Sequence, residues 1–316
     1  MDASAGDQGP YAKETGTDMS DHATNAATET FLAYRNLLFT VAYEMLGSAA
    51  DAEDVLQETW LRWVKVDADQ VRDQRAYLVR ITTRQALNRL RTMKRRKEAY
   101  VGPWLPEPLL TAPDVAEDVE LAESVSMALM IVLERLSPTE RAVFVLREAF
   151  DVGYDEIAAA LGKSPAAVRQ IAHRARRHVD ASRPREVVSP GEARTVLESC
   201  RRALETRDLQ GLLEVLAPDV VYVADGGGVK QAALRPVVGA EKVVRMIFGA
   251  VGKYPGVVTV GPAVVNGSPA LVVRLDGEID GVLAIRVEDA RISGLYYVRN
   301  PEKLTRVESE TPLTLR

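Results

Sequence analysis

The sequence contains a single cysteine, Cys200, so no internal disulfide can staple it. It has no unbroken apolar run near the ~20 residues that a membrane-spanning helix needs. Histidine is also scarce: His173 and His178 stand without a companion cysteine, so no zinc-type spacing exists and no metal or cofactor site is expected. Residues 1–28 carry no hydrophobic period, and neither the basic start nor the apolar core of a signal peptide. They are expected to form a disordered tail. Together these absences predict a cytoplasmic protein with no membrane association and no disulfide framework.

What is present is an ordinary globular balance, 47% hydrophobic and 27% charged residues. A chain of 316 residues exceeds one core at roughly 100–200 residues per domain, and three domains are expected. The net charge of −5 has the wrong sign for a nucleic-acid binder, but a total hides its distribution. Between Arg72 and Lys97 the chain carries ten basic residues against one acid, Asp73. At helical spacing Arg80, Arg84, Arg91 and Arg95 share one face and Val79, Ala86, Leu90 and Met93 another, so one side packs and the other meets an anion. A merely solvated helix would mix in acids, which are absent here. Upstream, residues 51–65 (DAEDVLQETWLRWVK) form an amphipathic helix with Ala52, Val55, Leu56, Trp60, Trp63 and Val64 inward. Glu53, Asp54, Gln57 and Glu58 lie on its polar face, which suits a basic or amide-rich protein partner. For Glu53 and Asp54 the helix dipole alone is a sufficient explanation.

The order FLAYRNLLFTVAYEMLGSAADAEDVLQETWLRW, a short loop, then RAYLVRITTRQALNRLRTMKRRK resembles region 2 of the extracytoplasmic-function (ECF) RNA polymerase sigma factors. The resemblance implies that Glu53, Asp54, Gln57 and Glu58 contact the beta-prime clamp of core RNA polymerase. It also implies that Arg75, Tyr77, Arg80, Arg84, Asn88 and Arg91 face the −10 promoter element, with Tyr77 offering a stacking platform to an unstacked base. Trp60 and Trp63 are expected in the core.

Beyond this block Pro103, Pro106, Pro108 and Pro113 break the helical pattern, and Asp114, Glu117, Asp118, Glu120 and Glu123 make the stretch acidic. It reads as a linker of restricted reach, either simply solubilising or lying in a nucleic-acid channel. The segments GYDEIAAALG and KSPAAVRQIAHRARRHV then form a helix-turn-helix. Gly162 ends the first helix, Ser164 caps the second and Pro165 fits its first position. In the second helix Val168, Ile171, Ala172, Ala175 and Val179 face inward. Ala166, Arg169, Gln170 and His173 are placed for base edges, and Arg174, Arg176 and Arg177 for phosphates. Preceded by LERLSPTERAVFVLREAF, this segment resembles region 4 of the same family, which reads the −35 element and meets the beta flap.

After Arg185 the basic bias disappears. Ser189 and Glu192 make a capping box ahead of the apolar stripe Ala193, Val196, Leu197, Cys200, Ala203 and Leu204, so Cys200 is read as a packed hydrophobe. A short helix (LQGLLEVL), a strand at residues 220–223 and a helix over 241–251 follow. Strands then alternate with the turn dipeptides Asn266-Gly267, Asp276-Gly277 and Asp280-Gly281. This predicts an α+β cone that resembles the SnoaL-like, or NTF2-like, fold. The domain has no histidine, and of Asp219, Asp225, Asp276 and Asp280 three flank expected turns, so no enzymatic role is expected.

Three short motifs, WLPEPL (Trp104, Leu105, Pro106, Glu107, Pro108, Leu109), ADGGGVK (with Asp225, Gly226, Gly227, Gly228 and Lys230) and NPEKL (Asn300, Pro301, Glu302, Lys303, Leu304), resemble signatures of the ECF group with a fused SnoaL-like extension. The resemblance implies a built-in regulator that contacts the sigma modules through these residues, without a separate anti-sigma factor. Val229 departs from the pattern by separating the glycines from Lys230, and Glu302 stands where Asp is usual. The expected layout is a multidomain chain: tail 1–28, region 2 helical bundle 29–99, Pro-rich acidic linker 100–118, region 4 with its helix-turn-helix 119–185, and the SnoaL/NTF2-like domain 188–316. Core RNA polymerase and promoter DNA are the expected partners. Two alternatives remain: a free-standing helix-turn-helix regulator, and a C-terminal domain that binds a small-molecule ligand or acts as an enzyme.

Overall fold

The computed structural model describes residues 15–112, 119–181 and 188–315; the expected linker acids Asp114, Glu117 and Asp118 lie outside them. Helix α1 (Thr15–Leu46) packs against α2 (Ala49–Trp63), and both pack on α3 (Gln74–Glu98). Gly47, at φ +70, turns the chain between α1 and α2; Ser48 accepts from the Asp51 amide at the start of α2 and Asp73 from the Ala76 amide at the start of α3. The apolar spacing of all three closes on one core, with Tyr43, Ala52, Val55, Trp63, Leu78, Ala86 and Met93 buried. Part of the expected tail is helical instead. Trp63 Nε1 donates to the Ala27 carbonyl at 2.8 Å and Ala27 is buried, which ties this part of α1 to the core.

Four short helices follow the linker: α4 (Val119–Val125), α5 (Met127–Leu133), α6 (Pro138–Phe144), continued by a π turn over Val145–Ala149, and α7 (Tyr154–Leu161). Helix α8 (Pro165–Asp180) completes the helix-turn-helix. The expected punctuation is in place: Gly162 adopts φ +63, Ser164 accepts from the Ala167 amide and Pro165 opens α8. The two helical modules are not separate bodies on a flexible tether. Residues from α1 to α3 and from α4 to α8 form one continuous apolar cluster, and Leu109 of the linker is buried within it.

The C-terminal domain starts with α9 (Pro190–Thr206), which carries the predicted capping box, and α10 (Leu209–Val215). They lead into β1 (Leu216–Asp225), the short β2 (Val237–Val238) and α11 (Ala240–Lys253). Four antiparallel strands follow: β3 (Val258–Val265), β4 (Ser268–Leu275), β5 (Glu278–Glu288) and β6 (Arg291–Val298). They join β1 and β2 in a six-stranded sheet ordered β2-β1-β6-β5-β4-β3, in which β1 and β6 are parallel. This is the predicted α+β, SnoaL/NTF2-like architecture. Its core includes Leu197, Cys200, Leu212, Tyr222, Val243, Leu283 and Leu295. Burial pushes the Cys200 thiol up to about 12, consistent with a packing role.

Two of the three turn dipeptides are correct: Asn266-Gly267 and Asp276-Gly277 both take positive φ between paired strands. Asp280-Gly281 lies inside β5, where Gly281 pairs with Val273 and the Asp280 side chain is buried. The chain turns instead at Asp289-Ala290, both left-handed, with no glycine to signal it. Among the described residues no helix is long and apolar enough to cross a membrane.

Candidate functional site

The four acidic and amide residues of α2 do not share one environment. Gln57 and Glu58 are exposed. Glu53 is half-buried and accepts from Arg35 at 2.8 Å and from Arg306 of the C-terminal segment at 3.2 Å. Asp54 pairs with Arg89 at 2.6 Å, and Arg89 also holds the buried Asp51. The expected outward cluster is therefore divided, because Arg306 reaches across the domain border to its most N-terminal member.

On α3, Asn88 and Arg91 are exposed and Arg75 is half-buried. Arg84 is committed elsewhere: its Nε donates to the Ala160 carbonyl at 2.9 Å and a terminal nitrogen to Ala159 at 3.1 Å. It thereby satisfies orphan carbonyls at the end of α7, the first helix of the helix-turn-helix. Tyr77 is half-buried, flanked by Trp63 at 5.9 Å between ring centroids and covered by the Arg80 guanidinium at 4.8 Å. Its ring is not an open stacking platform in this arrangement.

On α8, Ala166, Arg169, Gln170, His173, Arg174 and Arg177 are exposed and the five predicted inward residues are buried. Arg176 differs from its expected role. One turn beyond the buried Ala172, it donates to Glu148 at 2.8 Å and to the Tyr154 hydroxyl at 3.2 Å, a tie between elements of its own module.

The three signature motifs meet at one junction. Asp225, at the end of β1 and fully buried, receives Tyr100 Oη at 2.6 Å, the Gly227 amide at 3.0 Å, the Leu105 amide at 2.9 Å and Lys303 Nζ at 2.7 Å. Lys303 also donates to the Leu105 carbonyl at 2.6 Å and sits 3.4 Å over the Trp104 ring and 5.0 Å from the Tyr100 ring. Burial pulls the Lys303 ammonium down to about 8, against the pull of Asp225, so the lysine forms part of a tightly bonded buried pair. Tyr100 is pushed up by burial and by Asp225, which keeps its hydroxyl a donor. Asn300 donates to Tyr100 Oη at 2.9 Å, and Gly227 lies so close to it, at φ +64, that a Cβ there would be 2.4 Å from the Asn300 amide carbon. A void of about 30 Å³, roughly one water, remains between Val101–Pro103 and Gly226–Lys230.

Further along the linker, Glu107 is buried. Its Oε2 accepts from the Ala49 amide at 2.7 Å and its carbonyl from Tyr43 Oη at 2.6 Å, while its own amide donates to Gly47 at 2.9 Å. Burial raises the Glu107 carboxyl against the lowering effect of these amides. Leu105 and Leu304 pack with Met127 of α5 and with Ala284 and Val298 of the sheet. Pro106 and Pro108 are buried, whereas Pro301 and Glu302 are exposed on a single 3-10 turn capped by Asn300. Lys230 does not join this junction. With Val229 inserted before it, Lys230 turns to Asp280 at 3.3 Å inside its own domain.

The aspartates weighed for acid-base chemistry are also accounted for. Burial works against ionisation of Asp280, but Arg299 and Tyr297 outweigh it and hold the carboxyl below its usual range. Asp276 accepts from Tyr254 and the Val257 amide, and Asp219 is exposed.

Sequence reasoning missed Tyr43, Tyr100, Asn266, Arg306 and the last residues of the chain. Thr311 donates to the Leu110 carbonyl at 2.8 Å, Thr314 to Thr40 Oγ1 at 3.1 Å, and Leu313 is buried against the first module. Asn266-Gly267 gave a turn signal only, and nothing in the local pattern marks the others.

Two helical modules joined through a short extended linker, the second ending in a helix-turn-helix, define a sigma-70 type of protein. Residues 30–96 match the Sigma-70 region 2 model and residues 126–179 the Sigma-70, region 4 model. The chain is 40% identical over 289 residues to the ECF RNA polymerase sigma factor SigJ of Mycobacterium tuberculosis, covering 87% of this chain and 92% of that protein. It is 33% identical over 295 residues to the probable ECF RNA polymerase sigma factor SigI of the same species, covering 92% and 99%. The crystal structure of M. tuberculosis SigJ superposes with a TM-score of 0.72 at 35% identity, covering 91% of this chain and all of that one. The protein belongs to the ECF RNA polymerase sigma factors.

Proposed function

We propose that this protein binds core RNA polymerase, recognises −10 and −35 promoter elements and initiates transcription, with its activity governed by the fused C-terminal domain. The observation that carries the regulatory part is the double engagement of the expected working faces. Arg84 of the −10 face is bonded to α7, and Glu53 of the polymerase face to Arg306 of the C-terminal segment. A chain folded in this way presents Glu58, Arg91 and the outer face of α8 but withholds Arg84, Glu53 and the Tyr77 ring. The C-terminal domain acts by contact and not by catalysis, since its buried carboxylates Asp225 and Asp280 are bonded to Lys303, Tyr297 and Arg299. The Lys303–Asp225 pair with the WLPEPL segment is its grip on the linker, and it takes the place of a separate anti-sigma factor.

The reading is tested by promoter-directed transcription with core polymerase and the full chain. Wild type is expected to support a specific transcript, and Glu58→Arg to lose core binding. Arg306→Ala, which frees Glu53 from the C-terminal segment and leaves it paired with Arg35 alone, is expected to strengthen core binding. Promoter binding without any transcript from core polymerase would instead indicate a free-standing helix-turn-helix regulator. Unchanged core binding by Glu58→Arg would overturn the assignment of α2.

A further inference from the structure

A two-residue hairpin turn is normally the most exposed point of a sheet, and Asn-Gly occupies such turns because both residues accept positive φ. The β3–β4 turn has that chemistry, at φ +53 and +66, but not that location. Asn266 is completely buried, and its bonds all leave its own domain. Its Oδ1 accepts from the Leu109 amide at 3.0 Å, and its backbone amide donates to the Leu109 carbonyl at 2.9 Å, fixing the linker. Its Nδ2 donates to Tyr43 Oη of α1 at 2.6 Å and to the Val125 carbonyl at 3.0 Å.

The Val125 carbonyl closes α4, and Ser126 starts α5, so this carbonyl is an orphan helix-end acceptor at the corner that leads into region 4. One amide side chain of the third domain thus caps a helix of the second and binds a tyrosine of the first. Gly267 is equally constrained: a Cβ on it would lie 2.6 Å from the Ala122 Cα of α4. Only a glycine allows the turn to seat this deeply.

We propose that the Asn266–Gly267 turn is a plug that fastens the α4–α5 corner of region 4 to α1 of region 2, so that the two promoter-reading modules separate only when the hairpin withdraws. The proposal rests on the promoter-reading assignment of those modules, but the geometry stands without it. Withdrawal would leave Leu109 N–H, Leu109 C=O and Val125 C=O to find water together and take from Tyr43 Oη the donor it accepts from, and this coupling makes the junction a two-state element.

The test uses the full chain in the absence of polymerase and DNA. Cys200 is buried, so cysteines placed at the exposed Thr92 of α3 and Asp180 of α8 take paired probes selectively for distance measurement. Asn266→Asp keeps the turn, because Asp-Gly suits the same φ values, but it replaces the amide donor with an acceptor facing Val125 and Tyr43. It is expected to raise the open population at least roughly tenfold, equivalent to ~1.4 kcal/mol. Ala122→Leu, on the receiving helix, pushes the turn out without altering it and is expected to open the same distance. If either variant retains the closed-distance distribution of the parent, the plug is refuted for that side, and retention by both overturns the proposal. Failure of the promoter-reading assignment would appear separately, as absence of a specific transcript from wild type with core polymerase.

Discussion

Glu44 makes the closed arrangement a proton-binding state, and Glu44→Gln isolates that property. The residue lies on α1, is 1% exposed, and receives Ser124 Oγ of α4 at 2.9 Å. Its backbone carbonyl accepts from Arg141 of α6 at 2.9 Å. Arg141 is itself paired with Glu134, the C-cap of α5, at 2.6 Å, and Lys97 of α3 shares that carboxylate. Burial works against ionisation of Glu134, but Arg141 and Lys97 outweigh it and keep that carboxyl low. The remaining titratable neighbours, Tyr43 and Glu107, are uncharged or bonded to amides. Burial therefore dominates at Glu44 and pushes its carboxyl up to about 8, with Ser124 and Arg141 acting in the other direction. A group raised in the folded state contributes stability that is fully present below its solvated pKa, ~4.3, and is lost as pH climbs through about 8. Each pH unit inside that window costs ~1.4 kcal/mol, so folding should weaken by about 3 kcal/mol between roughly pH 5.5 and 8 through this residue alone. Gln retains an oxygen for Ser124 and never ionises. Denaturant midpoints of wild type and Glu44→Gln should therefore diverge as pH rises, the variant becoming relatively more stable. A stability difference independent of pH across this window would refute the reasoning.

Asp225→Ala leaves Lys303 buried without its counter-ion and should cost ~3–5 kcal/mol in a denaturant titration, more than Asp225→Asn; equal stabilities would contradict the junction described above. Arg177→Ala should lower the slope of log K against log salt for duplex −35 DNA by about 0.9 while leaving the melting temperature in place, and Arg176→Ala should do the reverse because Arg176 is bonded to Glu148. Truncation after Glu310 removes the buried Leu313, worth ~1.5–3 kcal/mol, and should speed hydrogen exchange in α1 around Thr40; unchanged exchange there would show that residues 311–315 do not stabilise α1.

The legible part of this molecule is the part governed by local chemistry. Ser164-Pro165, Gly162, the Ser189/Glu192 box and the inward stripe of α8 are decided within one or two helical turns, and all are found where the pattern puts them. The junction was legible as three motifs but not as a mechanism, because its partners include backbone groups: Leu105 N–H, Gly47 C=O, Val125 C=O and the carbonyls of Ala159 and Ala160. Such groups have no identity in a sequence. Asp280-Gly281 was misleading for a related reason, since its composition allows a turn but strand register decides whether one forms. Arg176 and Lys230 carry the charge expected of a contact residue, and only the fold reveals the acid beside each.

Glu107 has a consequence for α2. The first turn of that helix has amides to satisfy, and the chain divides the work: Ser48 takes the Asp51 amide, while Glu107, far along the sequence, takes Ala49. The linker is thus half of the cap of the helix that displays Glu53 and Glu58. When the linker leaves its seat, the start of α2 loses a carboxyl acceptor and frays, with a helix cap worth about 1 kcal/mol. The contacts that the third domain makes with residues 105–109 and the order of the first turn of α2 therefore share one segment of chain.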